Sequence, residues 1–277
     1  MVNWNNAADT LNCLESLAKV DCGGMRVLVV DNGSTDGSMR LVRERYPQYE
    51  LLELGHNSGY AGGCNAGARW AVKEGAKYVV FLNNDTAVDP GFIDPLIAPL
   101  EQTGDIAVTA PRIFFMEFPE RIWYAGGEIN IRSGRFAHRG IREKNNHRFE
   151  VQRETGYATG CCFAMRAMDF SSLGGYDSSF SMYGEDVDLS LRVRASGKKI
   201  LYVPESKVWH KISASGGGEM NPVKLWRKNV SLLKLLAKHR AWSGMGFYIL
   251  LAPFRFVRGV WSVLLFRMCG NTGKVST

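Results

Sequence analysis

Beyond Glu219 the chain has no aspartate or glutamate at all, although ten lysines and arginines lie between Asn221 and Thr277. The formal charge of +7 therefore belongs to the tail: residues 1–220 carry 24 basic side chains against 27 acidic ones, a net of −3. A main domain without basic excess offers little to phosphate backbones, so nucleic acid is not expected as a partner. Metal-like cysteine spacing is also missing. Cys13, Cys22, Cys64, Cys161, Cys162 and Cys269 form no C-x-x-C pair, and neighbours such as Cys161 and Cys162 do not readily bridge. With no signal-peptide pattern at the start, these read as reduced thiols of a cytoplasmic protein. The chain lacks G-x-G-x-x-G, which speaks against a Rossmann dehydrogenase. It also lacks an unbroken apolar run of the roughly 18 residues that a membrane-spanning helix needs. What remains is 277 residues, 45% of them hydrophobic, enough for one large α/β domain with an appendage.

The run Tyr78-Val79-Val80-Phe81-Leu82 is apolar throughout and rich in β-branched and aromatic types, as in a strand buried on both faces. It stops at Asn83-Asn84-Asp85. In an open α/β sheet, ligands bind outside the carboxyl ends of the strands, so Asp85 falls where chemistry happens. A carboxylate beside amides is a hard-oxygen site suited to a divalent cation that also holds substrate phosphates, although the same residues are common in plain turns.

Three other stretches have the same design. Met1-Val2-Asn3-Trp4 resembles the end of a strand, and Leu11, Leu14 and Leu17 mark a helix after it. Arg26–Val30 is a second strand, ending in the turn-rich loop Asp31–Ser38, and Leu51–Leu54 is a third. Gly55–Gly67 is rich in glycine and runs into a helix through Trp70 and Val72, which permits either close approach to a ligand or close helix packing. Asp89-Pro90 reads as a helix start with proline in the first turn, and Ile106–Ala110 as a fifth strand. Strand and helix alternate, which predicts a parallel sheet with right-handed crossovers. Residues 112–155 break that rhythm with alternating segments such as Glu128–Ile131 and read as an antiparallel excursion; Tyr157–Met165 should return to the sheet. In Tyr183–Arg192 the spacing of Val187 and Leu191 predicts a helix with Glu185 and Asp186 in its first turn. There the helix dipole favours an ionised acid, as a proton acceptor requires, while simple capping is the plainer reading. Ile200–Val203 is the last clear strand, followed by Val208-Trp209-His210.

Taken together, the motifs Val29–Gly37, Asn57–Asn65, Leu82–Asp85, Gly184–Asp188 and Trp209-His210 resemble glycosyltransferase family 2, closest to its rhamnosyltransferase-like branch, over about residues 1–215. The resemblance implies an α/β GT-A fold with a Rossmann-like, mostly parallel sheet flanked by helices. Within it, residues 1–110 would form the nucleotide-binding half and residues 111–220 the acceptor and catalytic half. It also implies a nucleotide-diphosphate sugar donor, a glycan or lipid-linked acceptor, inversion at the anomeric carbon, and Mg2+ or Mn2+ as cofactor. Carried over by position, Asp31 would bind the donor base, with Asn3, Asn32, Ser34, Asn57, Gly59, Asn65, Asn83 and Asn84 shaping the donor pocket. Asp85 and His210 would hold the metal, and Asp186 would be the general base beside Glu185. The chain departs from the metal motif in carrying Asn83 where an acid is usual. Two rival readings are a non-catalytic sugar-nucleotide-binding protein on the same fold and a nucleotidyltransferase; the latter would normally show a glycine-rich basic loop that Asn3-Trp4-Asn5-Asn6 does not supply.

The tail, residues 221–277, lies outside these motifs. Trp226, Val230, Leu233 and Ala237 recur at helical spacing among Lys224, Lys228, Lys234 and Lys238. This is the pattern of a basic amphipathic helix in a membrane interface, where each cation adds about 1 kcal/mol of attraction to anionic lipid; the alternative is a helix packed on the domain with a solvated basic face. The expectation is peripheral association with the inner face of the cell membrane. Ser213–Gly218 reads equally as a lid over bound donor or as a plain linker.

Overall fold

The computed structural model describes residues 1–180, 183–211 and 222–254, with Val257 and Trp261. The suggested lid at 213–218 and most of the chain after 254 lie outside the described residues. In order, the elements are β1 (Val2–Asn3), α1 (Ala7–Leu17), β2 (Leu28–Asp31), α2 (Ser38–Arg45), β3 (Glu50–Glu53), α3 (Gly59–Lys73), β4 (Tyr78–Leu82), β5 (Thr86–Val88), α4 (Ile93–Gln102) and β6 (Ile106–Phe115). There follow β7 (Ile122–Tyr124), β8 (Gly127–Asn130), β9 (Arg135–His138), β10 (Arg153–Glu154), β11 (Cys162–Arg166), α5 (Ala167–Ser172), α6 (Glu185–Ala195), β12 (Lys199–His210), α7 (Pro222–Lys238) and α8 (Trp242–Leu250).

The expected parallel sheet is present but mixed. β1, β2 and β3 are parallel neighbours, and β6 runs parallel to β12. Between β4 and β6, however, lies β11, antiparallel to both. The returning segment comes from an antiparallel excursion and so re-enters the sheet in the opposite sense. The excursion itself is as the sequence suggests: β7 pairs antiparallel with β6, and β8 with β9 forms a hairpin. The sheet is nearly divided at β1. That strand meets β2 over two residues and β4 only through a Val2–Asn83 bridge. Behind it a cleft of about 800 Å³ opens between β2 and β4, lined by residues such as Val27, Leu28, Gly67, Val80 and Ile97. The Met1 ammonium donates to the Leu28 carbonyl at 2.8 Å in this cleft, and burial pushes its pKa down.

The core sits between the sheet and α1, α3, α4 and α5. Phe81 stacks on Phe163 at 4.6 Å and meets Phe170 and Tyr176 at 4.7 and 5.9 Å, contacts worth about 0.5–1.5 kcal/mol each beyond burial. The glycines of α3 serve this packing. A Cβ on Gly63 would lie 2.8 Å from Val2 Cγ1, and one on Gly67 3.0 Å from Val30 Cγ2, so the helix lies directly on β1 and β2.

Two local expectations are corrected. Asp89-Pro90 does not begin a helix. Asp89 Oδ1 accepts from Gly91 N–H at 3.0 Å and Asp89 O from Phe92 N–H at 3.0 Å, so this is a turn, and α4 begins at Ile93. Val208-Trp209-His210 is not a separate segment either; it is the end of β12, which passes a bulge between Val203 and Lys207 and continues to His210. There it pairs with β5, a strand the sequence reading did not foresee, matching His210 to Thr86.

The described part of the tail, α7 and α8, packs on the domain. Leu232, Leu235 and Leu236 of α7 and Tyr248 of α8 are buried against Tyr157, Phe180 and Val187. The stripe Trp226, Val230, Leu233 and Ala237 is not the face that docks: Trp226 and Val230 are 70% and 45% exposed, while Leu233 and Ala237 are half-buried. Among the described residues, no helix is long and apolar enough to cross a membrane, and the described cysteines are free.

Candidate active site

The strand ends bring the expected site residues into two clusters. The first surrounds the carboxyl ends of β1 and β2. Asn3 is fully buried; its amide nitrogen donates to Ser34 Oγ (3.0 Å) and Ser38 Oγ (2.9 Å), and its oxygen accepts from Thr10 Oγ1 (2.6 Å) and Asn84 Nδ2 (3.3 Å). Asn84 also donates to Thr10 Oγ1 at 2.9 Å. Asp31, buried at the end of β2, accepts the Ser34 N–H through both oxygens at 3.1 and 3.3 Å. Asn32 joins this loop to the start of α3: it donates to Asn57 Oδ1 (3.0 Å) and Gly59 O (3.1 Å) and accepts from the Ser58 backbone N–H and hydroxyl (2.9 and 2.8 Å). Gly33, at φ +78°, makes that junction possible, since a Cβ there would meet the His56 backbone at 2.8 Å. Asn65 faces elsewhere. It clamps the Tyr176 backbone, donating to its carbonyl and accepting from its N–H, both at 2.8 Å.

The second cluster lies past β4. Asp85 Oδ1 and His210 Nε2 approach to 3.2 Å, brought together by the β5–β12 ladder. Apart from that contact, which lacks hydrogen-bond geometry, no partner reaches Asp85 Oδ1, and none reaches His210 Nδ1 or Asn83 Oδ1, all buried. Native buried polar atoms are normally paired, so three such atoms on this short stretch of sheet call for an explanation. An imidazole and a carboxylate oxygen at this spacing suit a divalent cation whose remaining ligands are water and phosphate oxygens. Among the described residues no group of three or more His, Cys, Asp or Glu forms a metal cage, so the site fits a cation completed by substrate rather than one held by protein alone.

Asp186 and Glu185 open α6 behind Gly184, which adopts the left-handed region at φ +91°. Asp186 Oδ2 accepts from Gly160 N–H at 3.0 Å and Oδ1 from Val187 N–H at 2.8 Å. The adjacent Cys161 carbonyl accepts from Asn83 N–H at 2.8 Å. Two hydrogen bonds through residues 160 and 161 thus tie the base candidate to the end of β4. Glu185 is buried with Oε2 unpaired. Burial, then the neighbouring Asp186 charge, pushes its carboxyl up to about 8. Burial raises Asp186 too, opposed by the N–H groups of Gly160 and Val187 and the Lys228 charge. Two carboxyls so close share a proton more readily than both ionise.

Sequence reasoning did not find the aromatic wall around His210. Trp123 lies edge-on to both His210 and His138 at 4.5 Å, and burial drives His138 down to about 3, leaving it neutral. Nor did it find Tyr60, whose hydroxyl donates to Gly160 O at 2.6 Å, or Lys211, which pairs with buried Asp9 at 2.7 Å. Trp123 and His138 come from the irregular 112–155 region, where no periodic signal placed them.

The family model described as glycosyl transferase family 2 matches residues 1–174. An N-acetylglucosaminyl-diphospho-decaprenol L-rhamnosyltransferase of Mycobacterium tuberculosis is 29% identical over 253 residues, covering 83% of this chain and 80% of that protein. The O-antigen biosynthesis protein RfbC of Myxococcus xanthus is 27% identical over 234 residues, covering 80% of this chain but only 18% of its own length. Among solved structures, GalNAc-T7 with UDP, GalNAc and Mn2+ aligns with TM-score 0.66 at 16% identity, over 85% of this chain and 46% of that one. The Pyrobaculum calidifontis mannosyltransferase PcManGT in complex with GDP-Man and Mn2+ aligns with TM-score 0.60 at 16% identity, over 91% and 68%. The fold is GT-A.

Proposed function

The chain belongs to glycosyl transferase family 2, and on that premise we propose that it is an inverting, metal-dependent transferase, moving a deoxyhexose such as rhamnose from a nucleoside diphosphate to a lipid-linked glycan at the inner face of the cell membrane. The observation that carries this reading is the Asp186 carboxylate, tied through Gly160 and Cys161 to the end of β4, where Asp85 meets His210 from the end of β12. A proton acceptor and a diphosphate-holding site then flank the same strand end.

In the ionised state, Asp186 takes the proton of the acceptor hydroxyl as that oxygen forms its bond to the anomeric carbon. The bond from that carbon to the diphosphate breaks on the opposite face, and the nucleoside diphosphate leaves with the electron pair, so the anomeric configuration inverts. Asp85 and His210 would hold the divalent cation, which neutralises charge on the departing diphosphate. Asp31 and the Asn32–Asn57–Gly59 junction shape the nucleotide side. The acceptor's lipid would approach the outer face of α7 and α8, where Trp226, Trp242, Phe247, Leu250 and Phe254 are exposed. So much exposed aromatic surface beside a basic, acid-free tail suits a membrane interface.

The test is transfer from dTDP-rhamnose to N-acetylglucosaminyl-diphospho-polyprenol with Mg2+ or Mn2+, reading the product's anomeric configuration by NMR, preceded by a thermal-shift screen of nucleotide sugars. A product of inverted configuration is expected. Donor binding without transfer or hydrolysis for any sugar nucleotide would leave the non-catalytic binding protein as the better reading.

A further inference from the structure

Asp188 has no part in the transfer chemistry above, yet it is fully buried and lies on α6 two residues beyond Asp186. A buried carboxylate is costly unless it is paired, and this one is held from three sides. Arg192 Nε donates to Oδ2 at 2.8 Å, while Lys238 Nζ and His239 Nε2 lie 2.7 and 2.9 Å from Oδ1. Burial works to raise Asp188, but the hydrogen bonds from His239 and Lys238 and the Arg192 charge bring it below its ordinary range. Only Arg192 belongs to the same helix. Lys238 and His239 come from the end of α7, some 50 residues later in the chain.

The clasp extends in both directions. Lys238 also pairs with Asp177 at 2.7 Å. The remaining Arg192 nitrogens donate to the carbonyls of Leu173 (2.6 Å) and Gly175 (2.8 Å), next to Tyr176, whose backbone is the one clamped by Asn65 of α3. One polar chain therefore runs from the donor-side helix α3, through the 173–177 turn, to α6 and on to α7. Beneath it, Leu232, Leu235 and Leu236 pack on Val187 and Phe180, and the Ser231 carbonyl lies 3.6 Å from where a Gly184 Cβ would be. The inner face of α7 thus supports the turn that presents Glu185 and Asp186, while its outer face, with that of α8, carries the exposed aromatics.

We propose that Asp188 is a positioning residue: through Lys238 and His239 it makes the seating of α7 and α8 a condition for Asp186 to stand correctly, so that contact of their outer face with an anionic lipid surface raises turnover. This rests on the reading of Asp186 as the acceptor base. The bond from Gly160 N–H fixes one Asp186 oxygen, and a shift of α6 along its axis would break it. Misplacement of a reacting group by about 1 Å can cost about 10²-fold in rate.

The experiment compares the full chain with Lys238→Met, the Lys238→Met/His239→Asn double variant, Lys238→Arg and Asp188→Asn. Each is assayed for donor KM and kcat with dTDP-rhamnose and the polyprenyl-diphosphate acceptor, with and without vesicles of 3:1 phosphatidylcholine to phosphatidylglycerol. The expected result for the double variant is a kcat fall of about 10- to 100-fold, donor KM within about twofold, unchanged near-UV circular dichroism, and no response to vesicles that stimulate the parent. Lys238→Arg should restore most of the rate. Lys238 is 34% exposed, so its variants keep the measurement meaningful if Asp188→Asn fails to fold. Unchanged kcat in the double variant, an equal vesicle response, or a rate loss matched by a loss of folded protein would each overturn the proposal. Full activity of Asp186→Asn would instead remove the base assignment, an outcome read separately.

Discussion

The two polar clusters at the strand ends use similar residues to opposite effect. Around β1 and β2, the amides and hydroxyls of Asn3, Thr10, Ser34, Ser38 and Asn84 satisfy one another, and Asn32 does the same for the start of α3. Past β4 and at α6, Asn83 Oδ1, Asp85 Oδ1, His210 Nδ1 and Glu185 Oε2 are buried without a hydrogen bond. A satisfied network rigidifies; an unsatisfied one keeps a desolvation cost that a ligand can remove. On the function proposed above, the first cluster would be scaffold that shapes a nucleotide pocket, and the second would engage cation, diphosphate and acceptor.

The sharpest way to break the contrast is at Asp186. Asp186→Asn keeps the shape and one acceptor oxygen, so turnover should fall by about 10²–10⁴-fold with donor KM little changed, as read by steady-state kinetics. A parallel loss of donor binding would move Asp186 into the scaffold class. Next, Asp85→Ala and His210→Ala should each lower metal-dependent transfer on the order of 10²-fold, and chelator should erase the donor-induced rise in melting temperature. Retention of that rise in His210→Ala at low metal would remove His210 from the cation site.

The scaffold cluster should answer in stability instead. Asn3→Ala strands the partners of a fully buried amide and should cost about 1–3 kcal/mol by urea denaturation, with residual folded protein near parental kcat. A specific kcat loss without destabilisation would show that Asn3 works on substrate directly. The remaining effect is a pH slope. Because Glu185 is raised in the folded state, its share of stability is full below the ordinary glutamate range and is lost as pH rises towards about 8, by up to about 1.4 kcal/mol per pH unit. Glu185→Gln should flatten that decline in melting curves between pH 5 and 8.

Much of this was legible in the sequence where local pattern and fold agreed. The apolar run before Asn83 is a strand as expected, though only Phe81 and Leu82 are buried and Tyr78–Val80 are partly so, and the Val187–Leu191 spacing put Glu185 and Asp186 at a helix start, where α6 begins. What was hidden depends on partners far away in sequence. Nothing near Cys162–Arg166 states that it runs antiparallel between β4 and β6, because strand direction is set by the preceding excursion. For α7 the sequence offers two periodic faces one position apart, and only the pocket made by Phe180 and Val187 decides that Leu232, Leu235 and Leu236 dock while Trp226 and Val230 stay exposed. Asn65 sits in a donor-pocket motif, and nothing local in that motif states that its amide holds the Tyr176 backbone and also reaches Ser178 Oγ.

The ladder between β4 and β11 has a kinetic signature of its own. Strand β4 is paired with β11 along its whole length, and successive amides of a strand point to opposite sides. Of the amides from Tyr78 to Leu82, those bonded to β11 should therefore exchange with deuterium only on large-scale opening of the sheet.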